Sequence, residues 1–272
     1  MIRSLVFLIS TAILMAACAT SPTGRSQLML VSPNQAVKAS ASAYPEKLKK
    51  YAEEGKLNTK PKMLERVKRI TGQLIVEAEK MYPEAKQWDW EVAVIDEPDT
   101  VNAWSMAGGK MAIYTGLIEK VKPTDDELAQ VMAHEISHVL ANHVAEQMSV
   151  AMASQIGLAV LSATALKDNR YRSAALTGAA LAATLAVSLP YSRAAEREAD
   201  KIGIEIAARA GFDPYAAASL WKKMTKVNKG APPEFLNTHP AAASREKTLL
   251  ELAPKMMKYY HPNEHHLRYR FH

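Results

Sequence analysis

The chain has 272 residues, 48% of them hydrophobic, enough for one well-packed domain or two small ones. Its formal charge of +6 is spread along the sequence, with no Lys/Arg cluster interleaved with aromatics. This excludes a nucleic-acid footprint and predicts a solvated basic surface. The single cysteine, Cys18, excludes an intrachain disulfide.

The first segment reads as a targeting signal. Arg3 gives a positive start, Leu5 to Ala16 an apolar run, and Met15-Ala16-Ala17-Cys18 ends it with small residues. The run is too short to span a bilayer as a mature helix. The tetrapeptide resembles a bacterial lipobox, with Met15 where Leu is commoner; in that motif the cysteine carries the lipid and becomes the first residue. Residues 1–17 are therefore predicted to be a lipoprotein signal peptide and Cys18 the lipidation site. An ordinary cleaved signal peptide with an incidental cysteine is the competing reading. Several acyl chains on one cysteine anchor a domain stably, each buried CH₂ adding ~0.8 kcal/mol. No Asp follows Cys18, and in this the segment resembles lipoproteins sorted to the outer membrane, facing the periplasm.

Residues 18–33, rich in Ser, Thr, Pro and Gly, are predicted to be a tether, with a single domain over 34–257. Helical stretches follow near 34–54 and 61–82, the second with Met63, Val67, Ile70, Leu74, Ile75 and Ala78 on one face. Trp90 to Asp96 then alternates with period two, and Val101–Met106 and Lys110–Thr115 flank Gly108-Gly109. The pattern predicts a small antiparallel sheet containing a hairpin. An exposed strand there binds an extended peptide through its backbone, or serves only as scaffold; pattern alone does not separate the two.

The stretch from Thr124 to Ala141 carries the chemistry. Thr124 and Glu127 form a capping box, and Leu128, Val131, Met132, Ile136, Val139 and Leu140 fall at helical spacing. Within it lies His134-Glu135-Ile136-Ser137-His138, an H-E-x-x-H pattern. One helical turn separates the two histidines, so both imidazoles reach one ion. Glu135 is rotated about 100° from His134 and faces a metal-bound water instead.

Between Val150 and Leu189 the sequence is Ala-rich, and the polar island Lys167 to Arg172 splits it into two apolar runs. Both runs are short and weakly inserting, so helices packed on the domain are expected rather than a transmembrane hairpin. A helix over about 191–210 ends at Gly211, and Asp213-Pro214 starts another that buries Leu220, Trp221, Met224 and Val227. Thr238-His239-Pro240 opens a last helix, about 241–257. The tail, 258–272, carries His261, His265, His266 and His272 and is expected to be solvated and poorly ordered.

A catalytic zinc takes three protein ligands and leaves a fourth position for water. The third ligand follows by elimination. A metzincin continues with Gly and His where this chain has Ala141 and Val144. A thermolysin-like Glu on the next helix has no counterpart, since no acidic residue lies between Glu146 and Asp168. The next acidic helix places Glu196 and Asp200 one turn apart, with Glu198 pointing away. Glu196 is therefore the candidate third ligand and Asp200 the acceptor that orients a ligand histidine. Standing alone, the segment reads as a charged helix face.

H-E-x-x-H followed by Ser-Arg-x-x-Glu-x-x-x-Asp resembles the gluzincin family of CAAX prenyl endopeptidases and HtpX-type proteases, nearest its bacterial periplasmic lipoprotein branch. Thr23 to Leu28 resembles the lead-in of that branch. Asn102-Ala103 with Gly108-Gly109 resembles the family's edge-strand hairpin, though Ala107 replaces the usual Pro, and His239-Pro240 with Arg245 resembles its His-Pro-x-x-x-x-Arg motif. The resemblance covers about residues 23–250. It implies an α+β, mainly helical, zincin-like fold with its small sheet beside the H-E-x-x-H helix. It also implies one Zn²⁺ on His134, His138 and Glu196, substrate contacts at Asn102, Ala103 and Arg245, and Asp200 behind the ligands.

On this reading Glu135 is the general base for peptide hydrolysis. His239 is either a second oxyanion donor or a fourth ligand that holds the enzyme latent, and His143 is structural. The expected substrates are unfolded or misassembled envelope polypeptides, with outer-membrane assembly machinery as a partner and the membrane engaged through Cys18. A lipoprotein chaperone that binds unfolded chains with little cleavage is the alternative. A purely structural zinc site is weak, because three ligands plus an adjacent Glu leave a position open.

Overall fold

The computed structural model describes residues 18–164, 193–227, 234–239 and 245–272. The predicted signal peptide, the polar island with the apolar run after it, and Pro240 lie outside the described residues.

The chain begins with a two-stranded antiparallel hairpin, β1 (Cys18–Thr20) and β2 (Ser26–Leu28). The tether reading is corrected here. Gln27 is buried, and Arg25 pairs with Glu146 and Glu198, more than a hundred residues away in sequence. Pro, Ser and Gly make the segment read as loop, but its polar side chains find distant partners. Helix α1 (Pro33–Glu53) follows, opened by a Ser32/Gln35 capping box, then α2 (Pro61–Met81), which buries Val67, Ile70, Leu74, Ile75 and Ala78.

Strands β3 (Glu91–Ile95), β4 (Ala103–Met106) and β5 (Lys110–Tyr114) form one sheet in the order β3-β5-β4. The expected antiparallel sheet is mixed: β4 and β5 make the predicted hairpin, but β3 runs parallel to β5. Period-two alternation fixes which residues share a face and carries no information about direction. The hairpin turn needs glycine at Gly109. Its φ is +81°, and a Cβ there would lie 2.4 Å from the Trp90 ring. β5 is central and buried throughout, whereas β4 is an edge strand and half-exposed along most of its length.

Helix α3 (Thr115–Val121) leads to α4 (Asp125–Leu140), whose Thr124/Glu127 capping box is present with bonds of 2.8 and 3.2 Å. Every residue from Glu127 to Leu140 is buried, so α4 is the axis of the core, more enclosed than a one-stripe helix. The sheet edge, α2 and the later helices surround it. Asn142, at φ +56°, turns the chain into α5 (His143–Thr164). Helix α6 occupies residues 193–209, followed by α7 (Ala216–Val227), α8 (Glu234–Thr238) and α9 (Arg245–Met256). α6 approaches α4 closely because residue 203 is glycine; a Cβ on Gly203 would lie 3.1 Å from the His134 amide nitrogen.

The C-terminal tail packs rather than trailing into solvent, a second correction. The Tyr269 amide donates to the Gly72 carbonyl at 2.9 Å, and Tyr269 and Phe271 pack against the core. The two aromatics supply apolar surface that the surrounding His and Arg residues mask in the sequence. The fold is thus the expected mainly helical, zincin-like α+β domain. Among the described residues, no helix is long and apolar enough to cross a membrane.

Candidate metal centre

Three elements converge on one point beside the sheet edge. α4 supplies His134 and His138, α6 supplies Glu196, and the residue after α8 supplies His239; all four are buried. His134 Nε2 lies 3.0 Å from His138 Nε2, 3.1 Å from Glu196 Oε2 and 3.3 Å from His239 Nδ1. Glu196 Oε1 is 3.3 Å from His138 Nε2 and 3.1 Å from His239 Nδ1. Ring nitrogens and a carboxylate this close, aimed at one another, form a set that could hold one metal ion. A tetrahedron with Zn–N bonds of ~2.0–2.1 Å has edges of ~3.3 Å, matching these separations. Charge is consistent with a bound cation: Glu196 and Asp200 share the single guanidinium of Arg245, and Glu135 adds a third buried carboxylate.

Burial pushes His138 down to about 4, whereas His134, against burial and Arg245, is raised to about 9 by Glu196 and Asp200. For Glu196 burial works against ionisation, yet His138 and His134 hold it far below the usual carboxylate range. Asp200 is likewise opposed by burial and held ionised by Arg245 and His134.

Behind the ligands, Asp200 Oδ1 lies 3.2 Å from His134 Nδ1, the position of the acceptor that fixes a ligand histidine's tautomer. Arg245 is not at a substrate surface, which corrects the role implied for it. Its guanidinium is buried over the Trp221 ring at 4.1 Å, bonded to Glu196 Oε2 at 3.1 Å and to Asp200. Motif spacing alone does not say which side of the site a residue takes.

Asn102 and Ala103 also lie inward. Ala103 is fully buried, and Asn102 binds Glu234 at 3.2 Å and accepts from Thr238 at 3.3 Å. With the Phe235 amide donating to the Val101 carbonyl at 3.0 Å, these bonds tie α8, and hence His239, to the sheet edge. The side chains at 102 and 103 therefore position His239 and fill the core, leaving the β4 backbone as the edge that passes the site.

Glu135 stands beside the cluster, 1% exposed. Its Oε2 takes the Ser105 hydroxyl at 2.9 Å, while Oε1 has no aligned hydrogen-bond donor among the described residues. His239 Nε2 lies 3.3 Å from that oxygen. Ser105 was not singled out from the sequence, although period-two alternation puts it on the face of Ala103. Phe235 was also missed; its ring lies against His239, centroids 4.4 Å apart, at the i,i+4 spacing of one helical turn. His143 does not face the cluster, but its Nδ1 is 2.8 Å from His138 Nδ1.

The model for peptidase family M48 matches residues 61–253, which include every side chain of the cluster. The chain belongs to peptidase family M48. Among curated relatives, it is 36% identical over 162 residues to the mitochondrial metalloendopeptidase OMA1 of Arabidopsis thaliana, covering 60% of this chain and 31% of that protein. To the metalloendopeptidase OMA1 of Bos taurus it is 32% identical over 244 residues, 87% of this chain and 46% of that one. To the beta-barrel assembly-enhancing protease of Escherichia coli K12 it is 35% identical over 153 residues, 54% and 31% respectively. The chain thus spans less than half the length of these relatives.

Proposed function

We propose that this protein is a zinc-dependent endopeptidase, held in a latent form by His239, that acts on misfolded or misassembled envelope proteins. The observation that carries the activity is the convergence of His134, His138 and Glu196 beside a buried Glu135, one of whose oxygens has no aligned hydrogen-bond donor among the described residues. Zinc, when bound to that set, supplies Lewis-acid activation of water and of the substrate carbonyl. The protein's own part is proton transfer and positioning. Ser105 holds one oxygen of Glu135, leaving Oε1 to accept a proton from the attacking water and return it to the leaving amine nitrogen. The β4 edge offers its backbone to an extended chain, which reads polypeptide without reading side chains.

Latency follows from His239. Its Nδ1 completes a fourfold donor set and its Nε2 covers Glu135, so both the water position and the base are shielded. The same observation favours the second reading, a chaperone that holds unfolded chains with little cleavage. Casein degradation by the purified protein separates the two: the peptidase reading expects cleavage that stops with a zinc chelator and returns with zinc. No cleavage under any metal condition favours the holding role.

The envelope assignment is supported by the lipobox-like Met15 to Cys18 and by the similarity to a beta-barrel assembly-enhancing protease. We place the protein on the periplasmic face of the outer membrane, anchored through Cys18, near the assembly machinery. Incorporation of labelled palmitate, lost in Cys18→Ser, is the expected result; labelling that persists in that variant removes the anchor.

A further inference from the structure

We infer that the β1–β2 hairpin is a working part of the metal centre, with Arg25 positioning the zinc ligand His138 through Glu198 and His143. The inference rests on the zinc-peptidase reading above and ties a hairpin that lies outside the 61–253 match to residues within it.

The chain of contacts is continuous. His143 Nε2 lies 3.1 Å from Glu198 Oε2, and a carboxylate only accepts, so that nitrogen carries the proton. A metal held by His138 Nε2 leaves that ring's proton on Nδ1, and His143 Nδ1, 2.8 Å away, is placed to accept it and fix the ring's orientation. The turn at Asn142 brings His143 back under His138, so the relay is set by the corner between α4 and α5.

Glu198 is held in turn by the hairpin. It accepts from the Thr23 hydroxyl at 2.6 Å and from Arg25 Nε at 2.9 Å. The two terminal nitrogens of Arg25 both reach Glu146, each at 2.6 Å. A planar guanidinium alone spans two carboxylates in this way; an ammonium is a point charge. Gln27 closes the arrangement, donating to the Ala141 carbonyl at the end of α4, 2.7 Å, and to Glu146, 3.0 Å. His143, Glu146, Glu198 and Gln27 are all buried, so water does not substitute for a lost partner. An ion pair that merely joined elements would end on scaffold. This one ends on a ligand nitrogen.

The test is zinc affinity by chelator competition, with unfolding temperatures of zinc-free and zinc-loaded protein, for wild type, Arg25→Ala, Arg25→Lys, His143→Ala and the double Ala variant. Arg25→Ala and His143→Ala are each expected to weaken zinc by about 10–100-fold and to shrink the rise in unfolding temperature that zinc brings. The double variant is expected to be within about threefold of the weaker single, because both act through one chain. Lysine at 25 is expected to recover only a minor share. Wild-type zinc affinity in Arg25→Ala, with equal losses of stability in zinc-free and loaded protein, overturns the inference and leaves a plain structural ion pair. Should Arg25→Ala fail to fold, His143→Ala keeps the Arg25 pairs and decides alone: unchanged zinc affinity there breaks the chain. A wild type that binds no zinc fails the peptidase reading itself, a different result from intact binding that ignores Arg25.

Discussion

Nε2 of His239 lies 3.3 Å from Oε1 of Glu135, while the other nitrogen of the same ring lies 3.1 Å from Oε1 of Glu196. One imidazole therefore bridges Glu135 and the His134, His138 and Glu196 cluster. Phe235 and the bonds from Asn102 to Glu234 and Thr238 keep it there. His239→Ala is expected to retain zinc on three ligands and to cleave unstructured peptides about 10–100-fold faster, as a shielding state a few kcal/mol more stable than the open one is removed. Slower turnover in that variant would make His239 a catalytic donor instead.

Arg245 is expected to be a matter of stability before activity. Removing it strands the carboxylates of Glu196 and Asp200 in a buried site. Such a loss costs about 3–5 kcal/mol, or ~10 °C in Tm. Arg245→Lys should recover little, since lysine lacks the fork that serves both acids. Thermal unfolding of zinc-free and zinc-loaded protein checks this, and a variant as stable as wild type removes the ion pair from the account.

Gly203 sets the spacing between α4 and α6, which carry His134, His138 and Glu196. Its Cα faces the backbone of Ala133 and His134, and backbone cannot swing aside as a side chain can. Gly203→Leu is expected to lose about 1–3 kcal/mol from overpacking and to weaken zinc as Glu196 is levered away. Gly203→Ala should show a smaller effect of the same sign. Zinc affinity measured in both variants decides the matter; no change in either means that the helices tolerate separation.

Glu127 gives a pH signature. Burial raises its carboxyl, but Lys223 at 2.5 Å, Ser219 at 2.7 Å and the Thr124 amide hold it below its ordinary 4.5. A folded value below the unfolded one means stability that is present above about pH 4.5 and lost as pH falls through the folded value. Glu127→Gln is therefore expected to cost about 1–2 kcal/mol at neutral pH, with the gap to wild type closing towards pH 3. Denaturant titrations at several pH values test the sign; a gap that widens on acidification contradicts it.

Much of the site could be read from spacing. Helical period puts His134 and His138 on one turn, and the absence of acids between Glu146 and Asp168 directs the search to Glu196. The structure brings these three together with His239. What spacing hid was anything that depends on which face meets which. Arg245 and Asn102 sit at motif positions yet point into the interior, and Ser105 is an unremarkable strand serine until it meets Glu135. The direction of β3 was hidden because alternation is the same for parallel and antiparallel pairing. The N-terminal hairpin and the tail were misjudged on composition, since Arg25 and Tyr269 owe their order to partners remote in sequence.

Zinc content and peptide cleavage, measured together in wild type, Glu135→Gln and Glu196→Ala, separate a zinc peptidase from a protein that only binds the metal. One zinc per chain and chelator-sensitive cleavage are expected in wild type. Full zinc but ~10²–10⁴-fold less cleavage is expected in Glu135→Gln, and lost zinc in Glu196→Ala. Undiminished cleavage by Glu135→Gln, or a full zinc complement in Glu196→Ala, would contradict the zinc-peptidase reading.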